Sequence, residues 1–227
     1  MKEIQTGAPV VNNIKPSAED NLLYFAIKYK AVVIGALILL VCIGGGIFFW
    51  MRHQQTSEQE AELKLSRITP LLDRGDFRNA INGTGSIDGL KKISEDYAGT
   101  PSGNMASLLF ANAYYSLKEY DSALNVFKSV SLKNNDLAAA ALAGAGDSYV
   151  GKNQFGLAAE SYQEASKKAE NSVLKAQYMT HAADSYQAIN QLQKASEIYT
   201  KIITDFPGST GAALAQRSLW KISGKVK

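Results

Sequence analysis

The sequence holds one cysteine, Cys42, among 227 residues. A single thiol excludes an intrachain disulfide and any cysteine-based zinc site. Two histidines, His53 and His181, are too few for most metal or acid–base constellations. Proline is scarce, five in all, and none occurs between Pro101 and Pro207. Proline removes a backbone donor and clashes with the preceding turn, so its absence over that stretch suits a succession of helices. Charge of one sign is not in excess either. Residues 52–227 carry 20 Lys+Arg against 18 Asp+Glu, a formal +2, which is not the basic footprint of a nucleic-acid binder. An apolar content of 46% argues against a disordered chain.

Charge disappears altogether between Ala31 and Met51, which read AVVIGALILLVCIGGGIFFWM. As a helix, these 21 residues span roughly 31 Å at ~1.5 Å per residue, close to the ~30 Å hydrocarbon core of a bilayer. The run is longer than a signal-peptide core and ends in Phe48-Phe49-Trp50-Met51-Arg52 without a small-residue cleavage site, so it reads as an uncleaved anchor in a lipid bilayer. Val41 stands before Cys42 where a lipidation motif needs a small residue, so Cys42 reads as a small hydrophobe. Lys15, Lys28 and Lys30 on one flank, set against Arg52 and Lys64 on the other, are read as a slight bias, and the expected orientation has the N-terminus in the cytoplasm. Tyr24, Phe25 and Tyr29 before the span and Trp50 at its end read as interfacial anchors. The preceding tail, residues 1–30, starts polar and turns helical at Pro16-Ser17, with Ser17 as N-cap.

The chain beyond the span is repetitive. Tyr114, Tyr149 and Tyr186 are spaced 35 and 37 residues apart. Three residues before each stands a small residue, Ala111, Gly146 or Ala183. Nine after each comes Ala123, Ala158 or Ala195, and four further on an aromatic, Phe127, Tyr162 or Tyr199. Three before each of those alanines is Tyr120, Phe155 or Leu192. Within each unit the apolar residues recur at three- and four-residue steps, the period of paired amphipathic helices. Small residues let the two helices approach and aromatics fill the space between layers. Turns are expected at Lys118-Glu119, Lys152-Asn153 and Asn190-Gln191, with Asp121 capping a second helix.

This pattern of small residue, tyrosine, alanine, aromatic and, at Pro207, closing proline resembles the tetratricopeptide repeat (TPR). The expected fold class is all-α: a single N-terminal transmembrane helix followed by a TPR-type α-solenoid of helix pairs with a C-terminal capping helix. The expected boundaries are tail 1–30, span 31–51 and TPR-like domain 52–227. That domain divides into a degenerate unit 58–101, repeats 104–137, 139–172 and 176–208, and a capping helix 209–222. In the degenerate unit, Ser57 and Glu60 read as a capping box, Pro70 interrupts the first helix, Asp76–Ala80 opens a second, and a loop at 82–86 precedes a helix over 87–97. Ala212, Ala215, Leu219 and Ile222 form the apolar face of the closing helix.

The resemblance implies that the first helix of each pair lines a groove. Its residues would be Met105, Leu108, Asn112 and Tyr115, then Asp147 and Val150, then Gln177, Thr180, Asp184 and Gln187. A solvated helix face is the plain alternative to a partner-binding surface. The basic clamp by which some TPR domains hold acidic chaperone tails would need lysine at Leu108, asparagine at Gly144, lysine at Gln177 and arginine at His181; only Asn112 fits. Gly146 through Lys152 match G-x-x-x-x-G-K, but Asn153 replaces the hydroxyl residue and no strand precedes it, so a phosphate loop is not expected. No catalytic constellation, metal site or cofactor is expected.

Tail, span and repeat array together, with the junction Gly99-Thr100-Pro101-Ser102-Gly103-Asn104, resemble the ancillary Sec-translocon TPR subunits of bacterial inner membranes (YfgM-like). That resemblance implies a single-pass inner-membrane protein with a periplasmic C-terminal domain. It also implies a SecYEG-type translocon, a membrane-anchored prolyl-isomerase-like (PpiD-like) chaperone and exported polypeptides as partners. A cell-envelope assembly scaffold, of the cell-division or outer-membrane-assembly type and detached from the translocon, is the alternative. The charge bias predicts that the C-terminal domain is protected from protease added to intact cells. Its digestion from the cytoplasmic side would overturn the orientation.

Overall fold

The computed structural model describes residues 27–225. The tail through Ala26, with the helix start at Pro16-Ser17, Lys15, Tyr24 and Phe25, lies outside the described residues. The chain forms two compact units that divide between His53 and Gln54.

In the first unit, the apolar stretch is helical throughout, as the opening part of α1 (Lys30–Asp73). It is long and apolar enough to cross a membrane, and its large side chains, from Val32 to Met51, are exposed. Cys42 is exposed as well.

The second unit takes over α1 from Gln54 and continues as a chain of helix pairs. After α1 come α2 (Phe77–Asn82), β1 (Gly83–Thr84), β2 (Ile87–Asp88) and α3 (Leu90–Asp96). Next in the chain are three pairs: α4 (Pro101–Ser116) with α5 (Tyr120–Ser129), α6 (Asn135–Gly151) with α7 (Phe155–Lys168), and α8 (Ser172–Ala188) with α9 (Leu192–Asp205). Helix α10 (Thr210–Lys225) closes the described chain. From α2 onward each helix packs on the next, and the first helices of successive pairs also touch in series, α4 with α6, α6 with α8 and α8 with α10.

The turn inside each pair is set by one residue in the left-handed region. Lys118, Asn153 and Asn190 have φ of 61°, 57° and 59°, and Gly75 occupies the same place with φ 73°. The amide after each donates back five residues: Glu119 to Tyr114 O, Gln154 to Tyr149 O, Gln191 to Tyr186 O and Asp76 to Leu71 O, all 2.8–2.9 Å. This is the αL closure of a helix C-terminus. Leu71 therefore takes the place of the repeat tyrosine, and Ala80, nine residues on and fully buried, takes that of the repeat alanine.

Between the pairs, the joint is made by side-chain caps. Thr100, Asn134 and Asn171 accept from backbone amides of the next helix's first turn, and Ser209 does so for α10. The second helices use no side-chain cap; Glu119, Gln154 and Gln191 bring only their carbonyls to Ala123, Ala158 and Ala195. Asp121 thus does not cap α5. It lies in the first turn and pairs with Lys152 of the following turn.

The degenerate first unit differs from expectation in three ways. No helix starts at Ser57, because α1 runs through it unbroken; Glu60 instead accepts from Tyr97 Oη at 3.2 Å. Pro70 does not end the helix, which continues to Asp73. Its missing N–H costs the one bond that would go back to the Ser66 carbonyl, and the helix runs only three residues beyond it. The loop at 82–86 is a two-stranded hairpin, pairing Gly83 with Asp88 and Thr84 with Ile87. It splits the second helix of the unit between Ala80 and the buried Ile93. Asp88 holds the insertion down between Lys64 of α1 at 2.6 Å and Lys92 at 2.8 Å. These two ammonium groups pull its carboxyl down to about 2. Glu58 reaches the opening of α4, accepting from Ser102 N at 2.9 Å and Ser102 Oγ at 2.7 Å.

The core is alanine against aromatic rings. Ala111, Ala123, Ala158, Ala159, Ala182, Ala183 and Ala195 are fully buried, as is Tyr199. Glycines let the rings approach: a Cβ on Gly146 would lie 2.8 Å from Tyr162 Cε1, and one on Gly144 would enter the Phe127 ring. A Cβ on Gly151 would likewise strike Tyr120. The G-x-x-x-x-G-K segment is therefore part of α6, with both glycines explained by rings and its lysine by Asp121. The closing helix buries Ala212, Ala215 and Ile222, with Leu219 against the same cluster, as its sequence face indicates.

Gly144→Ala gains about 1 kcal/mol of helix propensity but meets overpacking worth about 1–3 kcal/mol. In denaturant unfolding of the full-length protein in detergent, followed by circular dichroism, it lowers stability by up to about 2 kcal/mol. Placed beside Phe127→Leu, the same change becomes neutral or stabilising. Gly156→Ala, where a Cβ meets nothing within 4 Å, is expected to stabilise by several tenths of a kcal/mol.

Candidate interaction surface

The first helices of the pairs form a connected layer, and the residues expected to line a groove fall on it in three groups. Met105, Asn112, Tyr115, Gln177 and Asp184 are exposed. Asp147, Val150 and Gln187 are half-buried. Leu108 and Thr180 are buried. Leu108 belongs to the core around Ala111, Phe127 and Ala141. Thr180 donates its hydroxyl to Ala176 O within α8 at 2.9 Å. Neither offers a contact surface in this structure.

The two carboxylates are held from within their own repeats. Tyr162 on α7 donates its hydroxyl to Asp147 Oδ1 at 2.5 Å. Tyr199 on α9 makes the same bond to Asp184 Oδ1, and its hydroxyl oxygen lies 3.1 Å from the Gln187 side-chain amide. Burial raises both phenol pKa values, and the neighbouring carboxylate raises them further, because ionisation would set two negative charges side by side. Repeat one has Asn112 and Phe127 at the matching places, and a phenyl ring has no hydroxyl to donate. The sequence carried this signal: aspartate on the first helix goes with tyrosine on the second, asparagine with phenylalanine.

Aromatic rings extend the row. Tyr115 and Tyr120 lie with ring centroids 5.7 Å apart. Burial, and then the charge of Asp147, push the Tyr115 hydroxyl above its usual pKa. His181 stands against Tyr162 with ring centroids 5.2 Å apart. Tyr120, Tyr162 and Tyr199 were not among the residues expected here, since each reads first as a spacer between helices. At the far end, Asp184 and Gln187 line a cavity of about 370 Å³ together with Ser218 and Lys221 of α10. The surface thus offers exposed thioether and phenol groups at one end and carboxylate and amide acceptors at the other. Such a face can hold a polypeptide through apolar anchors and hydrogen bonds.

A serial array of helix pairs with this layering is an α-solenoid, a protein-interaction architecture. The model of the tetratricopeptide repeat-like domain family matches residues 24–145, just over half of the chain, and the protein belongs to that family. No curated protein matches the chain.

Stability conferred by the raised phenol pKa values is complete below the unfolded-state value of about 10. It is lost as pH rises beyond that, because the unfolded chain then releases protons that the folded chain retains. The urea midpoint of the full-length protein should therefore fall between pH 9 and pH 11. The combined change Tyr162→Phe with Tyr199→Phe removes two bonds to charged acceptors, worth roughly 1.5–3 kcal/mol each. It should lower the midpoint at pH 8 and flatten its alkaline decline; an equally steep decline would refute the assignment.

Proposed function

We propose that the protein is a non-enzymatic, membrane-anchored interaction subunit, ancillary to the Sec translocon, whose helix-pair array binds a periplasmic chaperone partner, exported chains, or both. The observation that carries this reading is the exposure of Met105 and Tyr115 on an array whose polar neighbours are already fixed by Tyr162 and Tyr199. A partner meets a pre-ordered surface, so little conformational entropy is lost at that face on binding. The exposed apolar helix over 31–51 supports anchoring, since water would not tolerate such a face uncovered. A cytoplasmic N-terminus, which the resemblance to YfgM-like subunits implies, would set the array on the periplasmic side of an inner membrane. The resemblance to YfgM-like subunits supports SecYEG and a PpiD-like isomerase as the partners.

The test is affinity purification of the full-length protein from native membranes in mild detergent, with mass spectrometry of what accompanies it. Translocon subunits and a periplasmic folding factor are expected. The folding factor should be lost from the variant Met105→Glu with Tyr115→Glu, which alters exposed side chains and spares the buried Leu108. Recovery of division or outer-membrane-assembly proteins instead would replace this reading with the scaffold one. Retention of every partner by the variant would remove the groove from it.

A further inference from the structure

Helices α7, α8 and α9 enclose a cleft of about 440 Å³ on a different face from the first-helix row. The two surfaces use opposite sides of α8. Lys175, Met179 and Ala182, spaced by one and two turns, face the cleft, whereas Gln177, Asp184 and Gln187 belong to the row. The cleft's apolar lining is Met179, Ile198 and Phe206, with the fully buried Ala182 beneath it. Its polar groups include three ammonium groups, Lys167, Lys175 and Lys201, against one carboxylate, Asp205. Asp205 stands 4.0 Å from Lys201, and among the described residues neither Lys167 nor Lys175 has an ion-pair partner.

Three like charges around a concave apolar surface repel one another and focus a positive potential into it. Lys167 stands in the last turn of α7, where an ammonium group complements the helix C-terminus. Beyond that, the three ammonium groups hold no loop and cap no carbonyl among the bonds of the described residues. We propose that the cleft binds an acidic polypeptide segment, with one large apolar side chain seated against Met179, Ile198 and Phe206 and flanking carboxylates on Lys167, Lys175 and Lys201. Charge complementarity selects the sign of the occupant, and the volume selects its size. A cleft of this size lies toward the lower end of ligand sites, which run from about 300 to 1,000 Å³. It accommodates a side chain and its neighbours rather than the paired tails of a phospholipid. Met179 adds a flexible, polarisable wall that adapts to more than one apolar side chain. The proposal does not depend on the row of the first helices, since the two surfaces share no residue.

The test uses the full-length protein in neutral detergent and fluorescence anisotropy of a short fluorescein-labelled peptide with one phenylalanine between two pairs of glutamates. Saturable binding that weakens with salt is expected. The variant Lys167→Glu with Lys201→Glu, both at exposed positions, should weaken it at least roughly tenfold at unchanged helical content. A peptide with lysines in place of the glutamates should then bind the variant better than the wild type. Equal affinity of wild type and variant for the acidic peptide would overturn the proposal. So would equal binding of a control peptide with serine in place of phenylalanine, or full displacement of the peptide by phosphatidylglycerol vesicles.

Discussion

An aromatic ring from the second helix of a pair lodges against a residue with little or no side chain on a first helix, and the rest of the array depends on that fit. Phe127 fills the space that a Cβ on Gly144 would claim, Tyr162 that of Gly146 and Tyr120 that of Gly151. Fully buried alanines flank these contacts. The ring supplies the apolar area, about 150–250 Å² for a side chain of this kind, and the missing side chain lets the backbones close around it. Because each ring touches its own pair and the next, the contact fixes both the angle within a pair and the step between pairs. A solenoid has few contacts between distant repeats, so these nearest-neighbour fits carry its shape.

Tyrosine in place of phenylalanine adds a demand, because a buried hydroxyl must find a partner. In the second and third pairs that partner is an aspartate on the first helix, Asp147 or Asp184, and no buried side-chain polar atom among the described residues is left unbonded. The acidic character of the first-helix face is thus partly a consequence of core packing. Each carboxylate still has acceptor capacity beyond the one bond from its tyrosine, so the same group can orient a ring and meet a partner's donor. The exposed apolar groups, Met105 and Tyr115, have no such packing explanation. Their neighbour Leu108, identical in pattern, turns inward.

The repeated positions were legible because they recur: five residue types in three registers leave little freedom, and the left-handed turns fell at Lys118, Asn153 and Asn190 where turns were expected. Asparagine is at ease in that conformation, and Lys118 adopts it because the αL closure and the packing of both flanking helices over-determine it. The first unit was harder to read. Its hairpin lies between Ala80 and Ile93, so the spacing from Leu71 to Tyr114 stretches to 43 residues and the period is lost. Glu58, Glu60 and Asp88 act across the fold, on Ser102, Tyr97 and Lys64, and no local pattern announces such bonds. Glu60 looked like a capping-box residue because its spacing from Ser57 is correct. The helix simply does not begin there. Burial of Leu108 and Thr180 was invisible for a related reason: the angle at which α4 and α8 roll against their neighbours is set by the rings and glycines, and sequence spacing does not encode it.

A quasi-one-dimensional array also has to end, and its two ends solve the problem differently. At the C-terminal side, α10 presents Ala212, Ala215, Leu219 and Ile222 to the last pair and covers an apolar face that a fourth pair would otherwise bury. At the other side the first pair lacks the ring-in-gap contact, since Ile68 stands where the later repeats have a small residue. Aliphatic packing takes its place, with Ile68, Ile81, Leu90 and Ile93 fully buried around Ala80. Polar bonds add to it: Asp88 between two lysines, Glu58 on the amide of Ser102 and Arg78 with Glu119 of the next turn at 2.5 Å. Most of these groups are partly exposed, so each contributes less than a buried ring does. Both ends of the array are thus closed by apolar contacts, aliphatic packing on one side and a covering helix on the other, and the ring-based pairs between them carry both the first-helix row and the lysine cleft.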